Sequence, residues 1–123
     1  MNQLSTRRVN FCPEADARLK RLKGLTGLTP NIICRVGFCL SLEEPAVPDP
    51  EHYPPGSRDI NRYTLTGEFD DLMVALLTQR LFEDELDWGE HAENQFAAHM
   101  NRGALLVSAR VRSLPDLLAL SRA

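Results

Sequence analysis

The stretch that most restricts the fold is "TPNIICRVGFCLSLEEP", residues 29–45. Thr29 before Pro30 is a strong helix start: a hydroxyl able to cap free amides, then a proline whose fixed φ suits the first helical position. The helix is expected to run from about Pro30 to Glu44 and to stop before Pro45, because the residue preceding a proline avoids the α region. Ile32, Ile33, Val36, Phe38, Leu40 and Leu42 then cover nearly its whole circumference. A helix that is apolar all round must be buried on all sides. A chain of 123 residues can hardly enclose it alone, so an oligomer is expected, with Ile32, Val36, Phe38, Leu40 and Leu42 at the contact.

The flanking segments give the rest of the outline. "TRRVNF" (6–11) alternates, placing Val9 and Phe11 on one face and Arg8 and Asn10 on the other, which suits a short strand. Pro13 opens a helix through about Leu22, with Ala15, Leu19 and Leu22 at i, i+4, i+7 as its buried stripe and Gly24 as its C-terminal cap. "PAVPDPEHYPPGSRD" (45–59) holds five prolines and is expected as a loop. A short irregular element at 60–66 is followed by helices over 68–86 and 91–111, the second weakened at Gly103, and by a short helix capped at Ser113. The expected class is mainly α, with at most one short strand, in a single domain over residues 1–123. Its parts are a basic N-terminal part (1–44), the Pro-rich loop (45–59) and an acidic helical part (60–123).

Apolar residues make up 43% and charged residues 25% of the chain, enough to bury a core. No apolar run approaches the roughly 18 to 20 residues of a membrane span. "MNQLSTRRVNF" lacks an apolar signal-peptide core, so no membrane and a cytoplasmic location are expected. The net charge of −3 hides a strong asymmetry. Residues 1–35 carry seven basic groups and two acids, a net of +5, whereas residues 36–123 carry seven basic groups and fifteen acids, a net of −8. An anion-facing end joined to an acidic body is the functional reading; a merely solvated surface is the plain one.

Catalytic and metal chemistry find little support. Cys34 and Cys39 lie five apart, about 140° around a helix from one another, and no CxxC occurs; with Cys12 they are expected as small core residues. His91 and His99 are eight apart, too far for a usual ligand pair, and are expected at the surface or hydrogen-bonded inside. Asp70, Asp71, Glu83, Glu85 and their neighbours could imitate a magnesium site, but no phosphate loop or nucleophile motif accompanies them. The expectation is a protein without a catalytic site, metal or cofactor.

A phosphate-facing turn is the better-supported chemistry. Lys23-Gly24-x-x-Gly27 removes two β-carbons where backbone would come close to something. A helix N-terminus, whose amides and dipole favour an anion, follows at once. Arg18, Arg21 and Lys23 lie just upstream. An ordinary inter-helix turn would use the same glycines.

The segment "RLKRLKGLTGLTPNIICRVGFCLSLEEP" (18–45), with "RGALLVSARVRSLPDLL" (102–118), resembles the DndE family of bacterial DNA phosphorothioation systems, which replace a non-bridging phosphate oxygen with sulfur. The resemblance implies an N-terminal half like ribbon-helix-helix proteins (a short strand plus two helices), followed by C-terminal helices, and self-association as a tetramer. It implies binding to duplex DNA with a preference for nicks. It also implies partnership with the DndC and DndD subunits, which with a cysteine desulfurase carry the ATP and sulfur chemistry. On this reading Arg7, Arg8, Arg18, Arg21, Lys23 and Arg35 meet phosphates as charges. Gly24 and Gly27 admit the DNA to the backbone, while Thr29 and Asn31 form the helix start. The rival is an assembly adaptor whose basic face docks acidic protein and not DNA.

Overall fold

The computed structural model describes residues 2–120. Strand β1 (Arg8–Phe11) leads into helix α1 (Pro13–Thr26), a turn, and helix α2 (Pro30–Glu43). The Pro-rich segment, with one 3-10 turn at Pro50–His52, leads to strand β2 (Arg58–Asn61) and helix α3 (Arg62–Thr66). A second 3-10 turn (Gly67–Phe69) precedes α4 (Asp70–Glu83), which is followed by α5 (Trp88–Arg110) and α6 (Leu114–Leu120). The mainly helical class and the strand–helix–helix order of the N-terminal half hold. Among the described residues, however, there are two strands and not one: β1 and β2 pair antiparallel, with Val9 opposite Ile60 and Phe11 opposite Arg58. "RDIN" lacks an apolar alternation of its own, so the hairpin partner, some fifty residues away, left no local mark.

The alternation in β1 does its expected work, sending Val9 and Phe11 into the core. Asn101 on α5 completes the strand from the side away from β2: its carbonyl accepts from the Cys12 amide (2.8 Å) and its amide donates to the Asn10 carbonyl (3.1 Å). One side chain thus stands in for a third strand at an edge whose groups would otherwise be buried unpaired.

Helix α1 starts at Pro13, and the Cys12 sulfur accepts from the Ala15 amide at 3.5 Å. Ala15, Leu19 and Leu22 form the buried stripe. The helix runs one turn beyond its expected end. Gly24 is helical, and the cap is Gly27, in the left-handed region (φ 75°) with its amide donating to Lys23 O at 2.9 Å.

Helix α2 lies against α5 along its length, at the centre of the molecule. Their backbones meet where Gly37 faces Gly103: a β-carbon on Gly37 would lie 2.6 Å from Gly103 C, and one on Gly103 would lie 2.3 Å from Gly37 C. Gly103 therefore does not weaken α5; it is the crossing point. Because α5 covers α2, Phe38 is fully buried within the chain, 5.7 Å from the Phe96 ring and 6.1 Å from His99 by ring centroids. This corrects the placing of Phe38 at a subunit contact. Ile32, Val36, Leu40 and Leu42 remain half-buried, so one chain encloses most of the helix but not all of it.

Three arginines of the C-terminal part turn inward. Arg80 donates to Asp84 (2.8 Å) and to the carbonyls of Leu42 (2.7 Å) and Ala46 (3.0 Å). Arg102 donates to Ser41 O at 2.7 Å and to Ala46 O at 2.6 Å. Together they satisfy the open carbonyls at the C-terminus of α2, where positive charge is favourable. Arg62 grips Asp70 through two hydrogen bonds of 2.9 and 2.7 Å and holds the N-terminal segment by the carbonyls of Leu4 and Thr6. The helix expected from residue 68 starts at Asp70, because Arg62 fixes that carboxylate and a 3-10 turn occupies Gly67–Phe69.

Candidate nucleic-acid interface

The turn joining α1 to α2 is built from local hydrogen bonds. Thr26 Oγ1 donates to Leu22 O (2.7 Å) and accepts from the Leu28 amide (3.2 Å), spanning the bend. Thr29 is extended at the N-cap of α2, as expected, but its hydroxyl makes no capping bond. The tying hydroxyl belongs to Thr26, three residues earlier. Asn31 sits half-buried in the first turn of α2. A β-carbon on Gly24 or Gly27 would meet no atom within 4 Å. Gly27 is explained by its left-handed φ, whereas nothing inside the molecule requires Gly24 to lack a side chain.

The basic residues divide sharply. Arg7, Arg8, Arg21 and Lys23 are exposed, and none forms an ion pair among the described residues. Arg18 is half-exposed, 3.9 Å from Glu14 across one helical turn, a weak surface pair. Lys20 pairs with Asp16 at 3.2 Å. Arg35 departs from expectation. Its guanidinium donates to Leu65 O (2.7 Å) and Thr64 O (3.3 Å) and lies over the Phe69 ring at 5.9 Å. It ties α2 to the end of α3, so its guanidinium already serves the fold. Arg8 precedes α1, and Arg21 lies about 12 Å along that helix from its start by the helical rise. The free cations thus form two groups along the chain, Arg7 and Arg8 at the start of β1 and Arg21 and Lys23 in the second half of α1.

The cysteines and histidines can be placed in the same way. Cys12 and Cys34 are buried, and burial pushes the Cys34 thiol up to about 12, leaving it unreactive. Cys39 is exposed, correcting its expected place in the core; burial and then the nearby Glu43 raise its pKa. His99 is fully buried, its Nδ1 accepting from Ser41 Oγ at 2.7 Å, while Arg102 Nε donates to that oxygen at 2.8 Å. Burial, with Arg102 and Arg80 adding to it, lowers the imidazole to about 3, so it is neutral. His91 lies partly exposed, 3.6 Å from Glu90. Among the described residues no group of three or more His, Cys, Asp or Glu side chains could hold a metal ion. Of the acidic residues, Asp70 and Asp84 neutralise Arg62 and Arg80. No single described helix is long and apolar enough to cross a membrane; α1 and α2 reach that length only jointly, and the chain bends by 112° between them.

These features define a small helical protein with a two-stranded antiparallel ribbon, a cationic N-terminal third and an acidic remainder. Comparison with known proteins makes the class specific. The chain belongs to the DndE family: the family's model, "DNA sulphur modification protein DndE", matches residues 8–113. DndE from Escherichia coli B7A, described as involved in DNA phosphorothioation modification, has a similar crystal structure. It is 26% identical with a TM-score of 0.67, over 85% of this chain and 99% of that one. A glycine-to-lysine DndE mutant is also similar in fold (TM-score 0.61, 22% identity, 83% of this chain and 99% of that one). No curated protein matches the chain. The two segments that carried the resemblance, 18–45 and 102–118, begin inside the matched region.

Proposed function

We propose that within the DNA phosphorothioation system, to which it belongs as a DndE-family protein, the chain binds duplex DNA through phosphates, prefers nicked DNA, and catalyses no step itself. One observation carries the reading: in the N-terminal third, Arg7, Arg8, Arg21 and Lys23 stand exposed with no acidic partner among the described residues, while Arg62, Arg80 and Arg102 are consumed internally. Exposed guanidinium and ammonium groups without partners suit phosphate oxygens, and such contacts position a protein without reading sequence. The open backbone at Gly24 and Gly27 allows close approach beside them. A nick favours such a binder because the broken strand bends and opens at lower cost. The chain then acts in the cytoplasm, self-associated as a tetramer, beside DndC, DndD and the cysteine desulfurase that supply the ATP and sulfur chemistry.

The test is salt-dependent binding of the isolated protein to nicked and intact duplexes. Each neutralised phosphate contributes about 0.9 to the slope of log K against log salt. Arg21→Ala with Lys23→Ala is expected to flatten the slope by roughly two units and to weaken binding to all sequences alike. Unchanged affinity and slope in that folded double variant would remove the phosphate reading and leave the adaptor in its place.

A further inference from the structure

Helix α4 carries apolar residues on two opposite sides. Met73, Val74, Leu77 and Leu81 face the core. On the other side Leu72 is 56%, Leu76 36% and Phe82 79% exposed. At about 100° per residue these three span an arc of roughly 120°, within which the exposed Gln79 and Glu83 are the polar residues of the C-terminal half. Phe69, in the preceding 3-10 turn and also exposed, extends the stripe N-terminally. A solvent-facing helix side normally carries polar residues, so a second apolar stripe needs an occupant.

The charges around the stripe say what kind. Glu68 and Asp71 are exposed at its N-terminal end, Glu83 and Glu85 at its C-terminal end. The cation of α4 itself, Arg80, is buried in its pair with Asp84 and in carbonyl contacts. Arg62, the nearest cation before α4 in sequence, and Arg35, whose guanidinium lies over Phe69, are likewise engaged. A second copy pairing through α4 would bring acids against acids in either orientation, since both ends are negative, and like charges in contact oppose association. DNA is excluded from this face on the same ground.

We propose that the outer side of α4 docks an amphipathic helix of a partner protein whose apolar stripe, about four turns long, is flanked at both ends by Lys or Arg. The stripe is read at i, i+3 and i+7 by Phe69, Leu72 and Leu76, the spacing of a helix laid along a helix. The acidic ends set its position and speed its capture. This site shares no residue with the cationic turn, so on the proposed reading the chain holds DNA and protein on distinct surfaces.

Two synthetic helices of about 18 residues test it, sharing one leucine stripe and ending in either lysines or glutamates. The wild-type chain is expected to bind the lysine peptide at least about tenfold more tightly than the glutamate peptide, the gap shrinking with salt. Leu72→Ser with Phe82→Ser should weaken the lysine peptide by at least tenfold while leaving thermal unfolding and nicked-duplex binding unchanged. Glu68→Lys, Asp71→Lys, Glu83→Lys and Glu85→Lys together, which turn each end from −2 to +2, should reverse the preference toward the glutamate peptide. Failure to bind the lysine peptide, equal binding of both, or no reversal in the charge variant would overturn the proposal. So would a wild-type oligomer, seen by sedimentation, that the Leu72→Ser, Phe82→Ser variant dissociates, since a second copy would then cover the face.

Discussion

His99 is the residue whose chemistry the fold alters most. Its imidazole falls to about 3 from an ordinary value near 6.5 because burial disfavours the charged form and Arg102 and Arg80 repel it. The unfolded chain therefore binds the proton first as pH falls. The stability held by neutral His99 is complete above about 6.5 and is lost as pH drops from there toward 3. Denaturant melts between about pH 6 and 4 should lose roughly 1 kcal/mol per pH unit from this group. His99→Asn, which keeps an acceptor for Ser41 and cannot titrate, should remove that share of the slope. Glycines at the turn separate fold from function at the same scale. Gly27→Ala forces a side chain into φ 75° and should cost about 1 kcal/mol. Gly24→Ala fills open space in a helix and should stabilise by about 0.5–1 kcal/mol. If the backbone at Gly24 lies against DNA, the same variant binds nicked duplex more weakly while melting higher; equal or tighter binding removes Gly24 from the interface. The spacing of Gly24 and Gly27 was visible in the sequence, but which one caps the helix was not, since both follow Lys23 closely and only φ distinguishes them.

At the scale of elements, α2 and the start of α1 were legible because punctuation bounds them: Pro13, Thr29-Pro30 and Pro45. β2 and α3 were not. Their residues are polar, and what organises them is remote: the β1 pairing and the grip of Arg62 on Asp70 and the N-terminal segment. The apolar circumference of α2 did not reveal its main cover within the chain: a 23-residue α5 lies against it, closely enough that Phe38 is sealed inside. That approach depends on two glycines 66 residues apart, a pairing no local pattern reveals. Gly37→Ala would drive a β-carbon into the Gly103 backbone, which has no rotamer to move. A loss of about 3 kcal/mol or more in urea unfolding is expected, at the upper end of overpacking effects. A loss below about 1 kcal/mol would mean that the two helices can slide apart and that the crossing does not fix the fold.

Across the whole molecule, charge is sorted by use. The sequence shows +5 in residues 1–35 against −8 beyond, which locates a cationic end but does not say which cations are free. The structure divides them: Arg35 serves α3, and Arg62, Arg80 and Arg102 serve the helix ends, whereas Arg7 and Arg8, at the start of β1, have no acidic partner among the described residues. This sorting predicts opposite signatures for two sets of neutralising substitutions. Arg7→Ala with Arg8→Ala should leave urea unfolding within about 0.5 kcal/mol of wild type, as for ordinary surface changes. It should flatten the salt slope of nicked-duplex binding by about 1.8, twice the contribution of one phosphate. Arg35→Met should do the reverse. It strips hydrogen bonds from the Leu65 and Thr64 carbonyls, costing on the order of 1–3 kcal/mol in stability. Its salt slope, measured below the temperature where it melts, should match wild type. If Arg35→Met flattens the slope as much as the Arg7, Arg8 variant does, its guanidinium leaves α3 to meet DNA, and the division between structural and phosphate-facing arginines fails.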